Sequence, residues 1–205
     1  MPARTRSRRT PPIYVSPDDA PGKVSILTTA LHLFVRDGLC ETSVRDIAAA
    51  SGVTNPALFK HFESKDELAR FLFERCYLEL AGRVAAAIAQ PGSFATRQRA
   101  IIDTYLDALD RDPDAVLYVQ DNLRHFWPKT SASVRRHSIV GDVRRFLESG
   151  RAEKQVMRTD LDLLTVAWIG TLQQVARARY FRELQQPTGA LADALDSLLA
   201  RMIRP

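Results

Sequence analysis

A short stretch, residues 51–68, concentrates side chains that could contact a nucleic acid; it reads SGVTNPALFKHFESKDEL. A proline in the first helical turn is tolerated, because the N–H groups there have no partner within the helix. The amide, hydroxyl and methyl groups at such a blunt helix tip suit base edges in a major groove, and basic groups beside it suit phosphates. The pattern predicts an exposed contact face of Asn55, Pro56, Ala57, Phe59, Lys60 and His61, with Lys65 beside it.

Each of these side chains also has an ordinary structural role open to it. His61 could be half buried beside Phe62, and Phe59 could pack beneath its own helix. Lys60 and Lys65 could be solvated surface lysines, which are common in any soluble protein. The prediction therefore depends on the agreement of the turn, the caps and the polar tip, and not on any single residue.

Two short helices joined by a tight turn are the elements that must position this tip. Ser43, with Asp46 three residues later, resembles a capping box at the start of the first helix. Gly52 permits the positive φ that the turn requires. Thr54 and Asn55 both qualify as the N-cap of the second helix, and the proline that follows favours Asn55. The pattern predicts a helix-turn-helix.

The rest of the chain has helical periodicity from Lys23 onward, and no segment alternates as a strand. The sequence therefore predicts an all-α protein. Three regions are expected, with a disordered basic and proline-rich arm over residues 1–22, a helix-turn-helix domain over 23–67 and a larger helical domain over 68–205. The arm's arginines, Arg4, Arg6, Arg8 and Arg9, could contact DNA phosphates or form only a solubilising leader. Gly150 is predicted to end a helix that covers residues 132–149.

Composition limits the function further. The net charge of +5 favours a polyanionic partner. Cys40 and Cys76 form no disulfide framework, and no apolar run reaches the roughly 20 residues that span a bilayer. These features predict a soluble, cytoplasmic protein. The sequence contains none of the common hydrolase, nucleotide-binding or zinc motifs, so it predicts neither an enzyme, nor a metal site, nor a bound cofactor.

Residues 23–75 resemble the N-terminal domain of TetR-family transcriptional regulators. The resemblance is carried in order by Gly38, by TSVRDIA at residues 42–48, by Gly52-Val53, by LFKHF at 58–62, and by Ser64-Lys65 with Leu68. It favours Thr54 as the N-cap. It implies DNA contacts from Ser43, Val44, Arg45, Thr54, Asn55, Pro56, Ala57, Phe59, Lys60 and His61, and a phosphate contact from Lys65. Phe59 replaces the usual tyrosine of the family, which removes a hydroxyl contact that Lys60 could replace.

The last two helices are predicted to form a dimer interface, because one helix-turn-helix reads too few base pairs to be selective. Two copies would bind half-sites of a palindromic operator about one turn, ~34–36 Å, apart. Small residues along one long helix and an apolar stripe on the last suggest the contact, and the resemblance implies a four-helix bundle. Completion of the intramolecular core is the alternative. The predicted residues are Ala167, Gly170, Thr171, Gln174, Val175, Ala178, Leu191, Leu195, Leu198 and Met202.

The resemblance also implies a small-molecule effector in an apolar cavity of the C-terminal domain. It favours a repressor that the effector releases from the operator. Two alternatives stay open, namely a DNA-binding or architectural protein controlled by a protein partner, and redox control through Cys40. The predicted cavity residues are Tyr77, Tyr105, Tyr118, Asn122, His125, Phe126, Trp127 and Trp168.

Overall fold

A computed structural model describes residues 12–205, and in these residues the protein is entirely helical. The all-α prediction is confirmed. The arginines predicted for the arm, Arg4, Arg6, Arg8 and Arg9, lie outside the described residues. The helices are α1 (Pro21–Arg36), α2 (Val44–Ser51), α3 (Asn55–Phe59), α4 (Lys65–Ile88), α5 (Phe94–Arg111), α6 (Pro113–Phe126), α7 (Ala132–Arg135), α8 (Ile139–Ala152), α9 (Leu161–Tyr180) and α10 (Thr188–Ile203), with a 3₁₀ turn at Trp127–Lys129.

The chain divides into two compact units between Ala69 and Arg70. The first contains α1, α2 and α3, and its core is made by aliphatic side chains that are fully shielded from solvent, including Leu27, Ile47 and Leu58. The Ser25 hydroxyl donates to the carbonyl of Ser51 at 2.8 Å, which fastens the start of α1 to the end of α2. Three short elements therefore share one small core, which holds α3 in a fixed orientation.

The segment before α1 departs from the predicted disordered arm where it is described. Residues 12–20 form turns, and the side chain of Tyr14 is only 6% exposed. Asp19 accepts a hydrogen bond from the Ser16 amide at 2.8 Å and pairs with Lys23 at 3.0 Å. Disorder was predicted because the segment is rich in proline and has few large apolar side chains. The buried ring of Tyr14 supplies apolar area that stabilises the turns.

The second unit packs the remaining helices around large aromatic side chains. Trp168 on α9 and Phe146 on α8 are each 1% exposed, and Phe94 stacks on Phe146 with ring centroids 4.3 Å apart. Helix α5 packs against α6, α9 and α10, and α8 packs along α9. In the part of the chain that is described, no helix is both long and apolar enough to cross a bilayer.

Gly150 does not end its helix, which corrects the prediction. Helix α8 runs through it to Ala152, and Ser138, whose hydroxyl accepts from the Gly141 amide at 3.1 Å, begins that helix after the separate α7. A Cβ atom built on Gly150 would lie 2.4 Å from the Phe94 ring and 2.6 Å from Val156. Glycine stands at this position because neighbouring side chains occupy the space of a methyl group.

Candidate functional site

The tip of α3 is fixed by its cap and by the preceding turn. The Thr54 hydroxyl accepts a hydrogen bond from the Ala57 amide at 3.3 Å, so Thr54 is the N-cap and Asn55 is the first helical residue. Gly52 adopts φ +72° and ψ +21°, the left-handed conformation that was predicted for the turn. Leu58 is fully buried under the short helix. The remaining faces of α3 are therefore free for contact.

Helix α2 begins with the predicted capping box. The Ser43 hydroxyl accepts from the Asp46 amide at 3.2 Å, and the Asp46 carboxylate accepts from the Ser43 amide at 2.9 Å. The hydrogen bonds from Ser43 lower the pKa of Asp46. A lowered carboxyl pKa contributes stability at neutral pH, and this contribution is lost as the pH falls through that pKa. Near neutral pH the box therefore holds the first turn of α2.

The residues predicted to contact DNA are accessible. Phe59 is 47% exposed, so it does not pack beneath its helix, and the His61 side chain is exposed as well. Arg45 and Lys60 form no ion pair within residues 12–205, which leaves their positive charge available to an anion. Ser43, Arg45, Thr54, Pro56, Phe59, Lys60 and His61 are exposed, and Val44, Asn55 and Ala57 are half-buried.

Lys65 has a different role from the predicted phosphate contact. Its ammonium group donates to the carbonyl oxygens of Leu39 at 2.8 Å, Thr42 at 2.9 Å and Cys40 at 3.4 Å. An ammonium group has three N–H donors, and these three carbonyls account for all of them. Lys65 therefore ties the start of α4 to the loop between α1 and α2, and its donors are not free for a phosphate.

Replacing Lys65 by methionine is expected to lower the free energy of unfolding by about 1.5 kcal/mol, because hydrogen bonds from a charged donor are lost. Chemical denaturation without DNA measures this change, and hydrogen exchange should show faster exchange in the loop that contains Cys40. If the variant is as stable as the wild type and its DNA binding depends less on salt, Lys65 contacts a phosphate as the sequence predicts.

Two adjacent cavities lie among the helices of the second unit. The small cavity, of about 90 Å³, and the large cavity, of about 480 Å³, share parts of their walls. The shared wall is formed by Val119, Gln120, Ile139, Ile169 and Gln173. Most of the lining is apolar, so the pair suits a ligand with an extended apolar part.

Four of the eight predicted cavity residues line these spaces. Tyr105 and Trp168 line the small cavity, and Tyr77 and Trp127 line the large one. Sequence analysis did not predict the polar residues of the cavity walls, because a polar position on an amphipathic helix is expected to face solvent. The polar wall residues are Arg83, Thr104, Gln120, Arg124, Ser138 and Gln173.

The other four predicted residues have structural surroundings. Tyr118 and Phe126 are 1% and 2% exposed and pack in the core, where their ring centroids are 6.3 Å apart. Asn122 donates to the carbonyl of Tyr118, one helical turn earlier, at 3.0 Å. His125 is exposed, and its Nε2 lies 3.1 Å from Lys129 Nζ. None of the four lines either cavity.

The cavity walls contain polar groups with unused donor capacity. The Tyr105 hydroxyl accepts from the Gln120 amide at 2.9 Å, and the Tyr77 hydroxyl accepts from the Ile139 amide at 3.1 Å. Burial raises the pKa of both phenols, so each keeps its proton. The buried indole N–H of Trp168 has no acceptor within residues 12–205. A ligand with an oxygen acceptor matches these donors.

The predicted dimer residues separate into buried and accessible groups. Val175, Ala178, Leu191 and Leu195 are at most 9% exposed in the single chain, because they complete the protomer's own core. Ala167, Gln174 and Leu198 are exposed, and Gly170, Thr171 and Met202 are half-buried. The sequence missed three strongly exposed apolar side chains, which are Leu163 (67%), Val166 (64%) and Phe181 (66%).

Comparison with known proteins identifies the first unit. Residues 26–71 match the family described as bacterial regulatory proteins, tetR family. The transcriptional repressor KstR2 of Rhodococcus jostii strain RHA1 is 32% identical over 112 residues, which are 53% of this chain and 55% of that protein. The chain thus spans about half the length of this curated relative. That relative is a regulator of transcription, which agrees with the prediction that the protein is not an enzyme.

Solved structures share the fold across both units. KstR2 of Mycobacterium tuberculosis superposes with a TM-score of 0.79 at 19% identity, covering 93% of this chain and 97% of that one. FadR of Bacillus subtilis, solved in complex with stearoyl-CoA, superposes with a TM-score of 0.69 at 17% identity, covering 88% and 98%. The family match covers α1 to the first turns of α4, so residues 26–71 are similar to the helix-turn-helix unit of the tetR family of bacterial regulatory proteins. Residues 12–205 share the fold of the solved regulators.

Proposed function

We propose that the protein is a cytoplasmic, dimeric transcriptional regulator that binds a palindromic operator and is released when a small molecule occupies the two cavities. The observation that carries the proposal is the tip of α3, which is accessible, capped by Thr54 and held by the buried Leu58 and the turn at Gly52. Such a rigid tip can enter a major groove without a cost for ordering it. The repressor relative supports repression, although the DNA contacts would serve an activator equally well.

The contacts divide by chemistry. Thr54, Asn55 and Ala57 lie in the first turn of α3, where an amide, a hydroxyl and a methyl group can read base edges. Arg45 on α2 and Lys60 after α3 supply charge for the phosphates beside the groove. Lys60 takes the place of the hydroxyl contact that Phe59 does not provide.

The dimer contact is proposed along the exposed face of α9. Leu163, Val166, Gly170, Gln174 and Arg177 are three or four residues apart, so they share one side of the helix over about 21 Å. Gly170 lies in the middle of this stripe, and a Cβ atom there would meet nothing within 4 Å in the single chain. Glycine costs a helix about 1 kcal/mol relative to alanine. Close approach of a second copy accounts for that cost.

Replacing Gly170 by alanine is expected to raise the dimer dissociation constant about tenfold, because a methyl group separates two closely packed helices. The same change should make α9 slightly more stable in the protomer. Sedimentation equilibrium measures the dissociation constant. Gly82 on α4 is the matched control, since it is exposed and also has open space at the Cβ position. An unchanged dissociation constant would place the dimer contact elsewhere.

The effector is proposed to act by population shift, binding better to a form of the dimer that does not fit the operator. Helix α4 carries both Lys65, which holds the loop before α2, and Tyr77, which lines the large cavity. One continuous helix therefore belongs to both functional regions. The stearoyl-CoA complex of Bacillus subtilis FadR supports a ligand site of this kind in this fold. The open cavities favour an effector over a regulator that only a protein partner controls.

Release of a labelled operator duplex tests this mechanism. Fatty acids, acyl thioesters and sterols would be screened for release from the wild-type protein and from Ile169→Trp, which fills the junction of the two cavities. We expect a compound that releases the wild-type protein and fails on the variant, while both bind the duplex equally without it. Failure of every compound on the wild-type protein would favour the alternative of a regulator without an effector.

A further inference from the structure

A strongly basic segment borders the mouth of the large cavity. Residues 122–141 contain no aspartate or glutamate. All of the basic and imidazole side chains in this segment are exposed. We call them the basic rim; they are Arg124, His125, Lys129, Arg135, Arg136 and His137.

The rim is placed at the cavity by its own residues and by their neighbours. Arg124 lines the large cavity directly, as do Pro128 and Ser138, which lie beside Lys129 and His137 in the chain. The Arg135 guanidinium donates to the carbonyls of Thr130 at 2.7 Å and Pro128 at 3.4 Å, so it also lies next to the cavity wall. Arg124 and Arg135 therefore place positive charge at this opening.

This charge is not neutralised by the protein. The acids that flank the segment are already paired, Asp121 with Arg177 and Asp142 with Arg145. No residue of the rim forms an ion pair within residues 12–205. Lys129 Nζ lies within hydrogen-bond distance of His125 Nε2, at 3.1 Å, and not beside a carboxylate. Basic side chains gathered near one opening raise the local concentration of anions.

Behind the rim the cavity walls become apolar. Ile139, Val140 and Ile169 line the large cavity, and Leu80, Ile101 and Val143 line the small cavity behind the shared wall. A ligand that satisfies both parts has an apolar body and an anionic head. Arg124 and Arg135 together carry more positive charge than one carboxylate neutralises, and arginine matches the geometry of phosphate oxygens.

We propose that the basic rim is the head-group site of the effector, and that the effector is an amphipathic molecule in which phosphate is joined to an apolar chain or ring system. The proposal rests on the proposed function, since it concerns the same cavities. It adds the charge of the ligand and the residues that recognise it. Arg124 lines the large cavity, and Arg136 follows Arg135 in the chain. Both are exposed and form no ion pair within residues 12–205, so they are the expected principal contacts.

Calorimetric titration of the full chain without DNA tests the proposal, with decyl phosphate, 1-decanol and inorganic phosphate as probes. We expect decyl phosphate to bind about tenfold more tightly than 1-decanol. Inorganic phosphate should show no measurable binding and should not compete with decyl phosphate. The double variant Arg124→Gln, Arg136→Gln should lose about tenfold in affinity for decyl phosphate and less than twofold for 1-decanol. The double variant Arg158→Gln, Arg204→Gln removes the same charge from exposed positions elsewhere that form no ion pair within residues 12–205, and it should bind both probes like the wild type.

Equal affinity of the wild-type protein for decyl phosphate and 1-decanol would overturn the proposal. Normal binding of decyl phosphate by the rim variant would overturn it too. Weaker binding of operator DNA by the rim variant, without any probe present, would also overturn it, because the rim would then be a DNA contact. Release of the operator is measured separately. If decyl phosphate binds through the rim but does not release the operator, the effector mechanism is contradicted and the head-group site is supported. If 1-decanol releases the operator and decyl phosphate does not, the effector mechanism is supported and the head-group site is contradicted.

Discussion

Replacing Arg45 and Lys60 together by glutamine is expected to weaken operator binding about 30-fold near physiological salt, because two phosphate contacts are lost. Each neutralised phosphate contributes close to one unit to the dependence of log affinity on log salt, so the slope should fall by about two. Fluorescence anisotropy at several salt concentrations measures both quantities. Both side chains are exposed and make no ion pair within residues 12–205, so the fold should be unaffected.

The control for this pair is Arg158→Gln with Arg204→Gln, which changes the net charge equally at exposed positions outside the helix-turn-helix. It should change the slope little. If both double variants reduced the slope to the same extent, the effect would come from net charge alone, and the assignment of Arg45 and Lys60 as phosphate contacts would be wrong.

Replacing Gly150 by alanine is expected to lower the free energy of unfolding by about 2 kcal/mol, the range found for overpacked cores. The added methyl group would lie 2.4 Å from Phe94, whose ring is stacked on Phe146 and cannot move without disturbing it. The sign is informative, because glycine to alanine within a helix usually stabilises by up to about 1 kcal/mol. Urea denaturation measures the change.

At Gly82, which also lies within a helix, replacement by alanine is expected to have the opposite effect on the free energy of unfolding. It lies within α4, is exposed, and an added Cβ atom would meet nothing within 4 Å. Gly82→Ala should therefore raise the free energy of unfolding by about 0.5–1 kcal/mol. Stabilisation by both alanines would show that Phe94 yields easily and that the close contact at Gly150 is not rigid.

The helix-turn-helix was predictable because its determinants are local. The capping box of Ser43 and Asp46, the positive φ of Gly52 and the proline in the first turn of α3 each follow from residues within four positions of one another. Helix periodicity likewise predicts the all-α fold, since it depends only on spacing along one segment. The choice between Thr54 and Asn55 as the N-cap needed the observed hydrogen bond.

The features that the sequence did not reveal depend on neighbours that are distant in sequence. Lys65 is occupied by carbonyls 23 to 26 residues away, and Gly150 is required by a ring on another helix. Tyr118 and Trp168 look equivalent in the sequence, since both are buried aromatics on amphipathic helices, yet only Trp168 lines a cavity. Periodicity indicates which face of a helix is buried, but it does not indicate where packing is incomplete.

The central claim is that α2 and α3 read a specific DNA sequence, and selection of bound duplexes from a random pool tests it most directly. Wild-type protein and the variant Asn55→Ala, Lys60→Ala would be compared, followed by titration of the selected duplex at several salt concentrations. We predict a palindromic site with half-sites about one helical turn apart, a steep salt dependence, and loss of enrichment in the variant. No enriched sequence, or equal enrichment by the variant, would contradict the claim and reduce the exposed tip of α3 to an element of the fold.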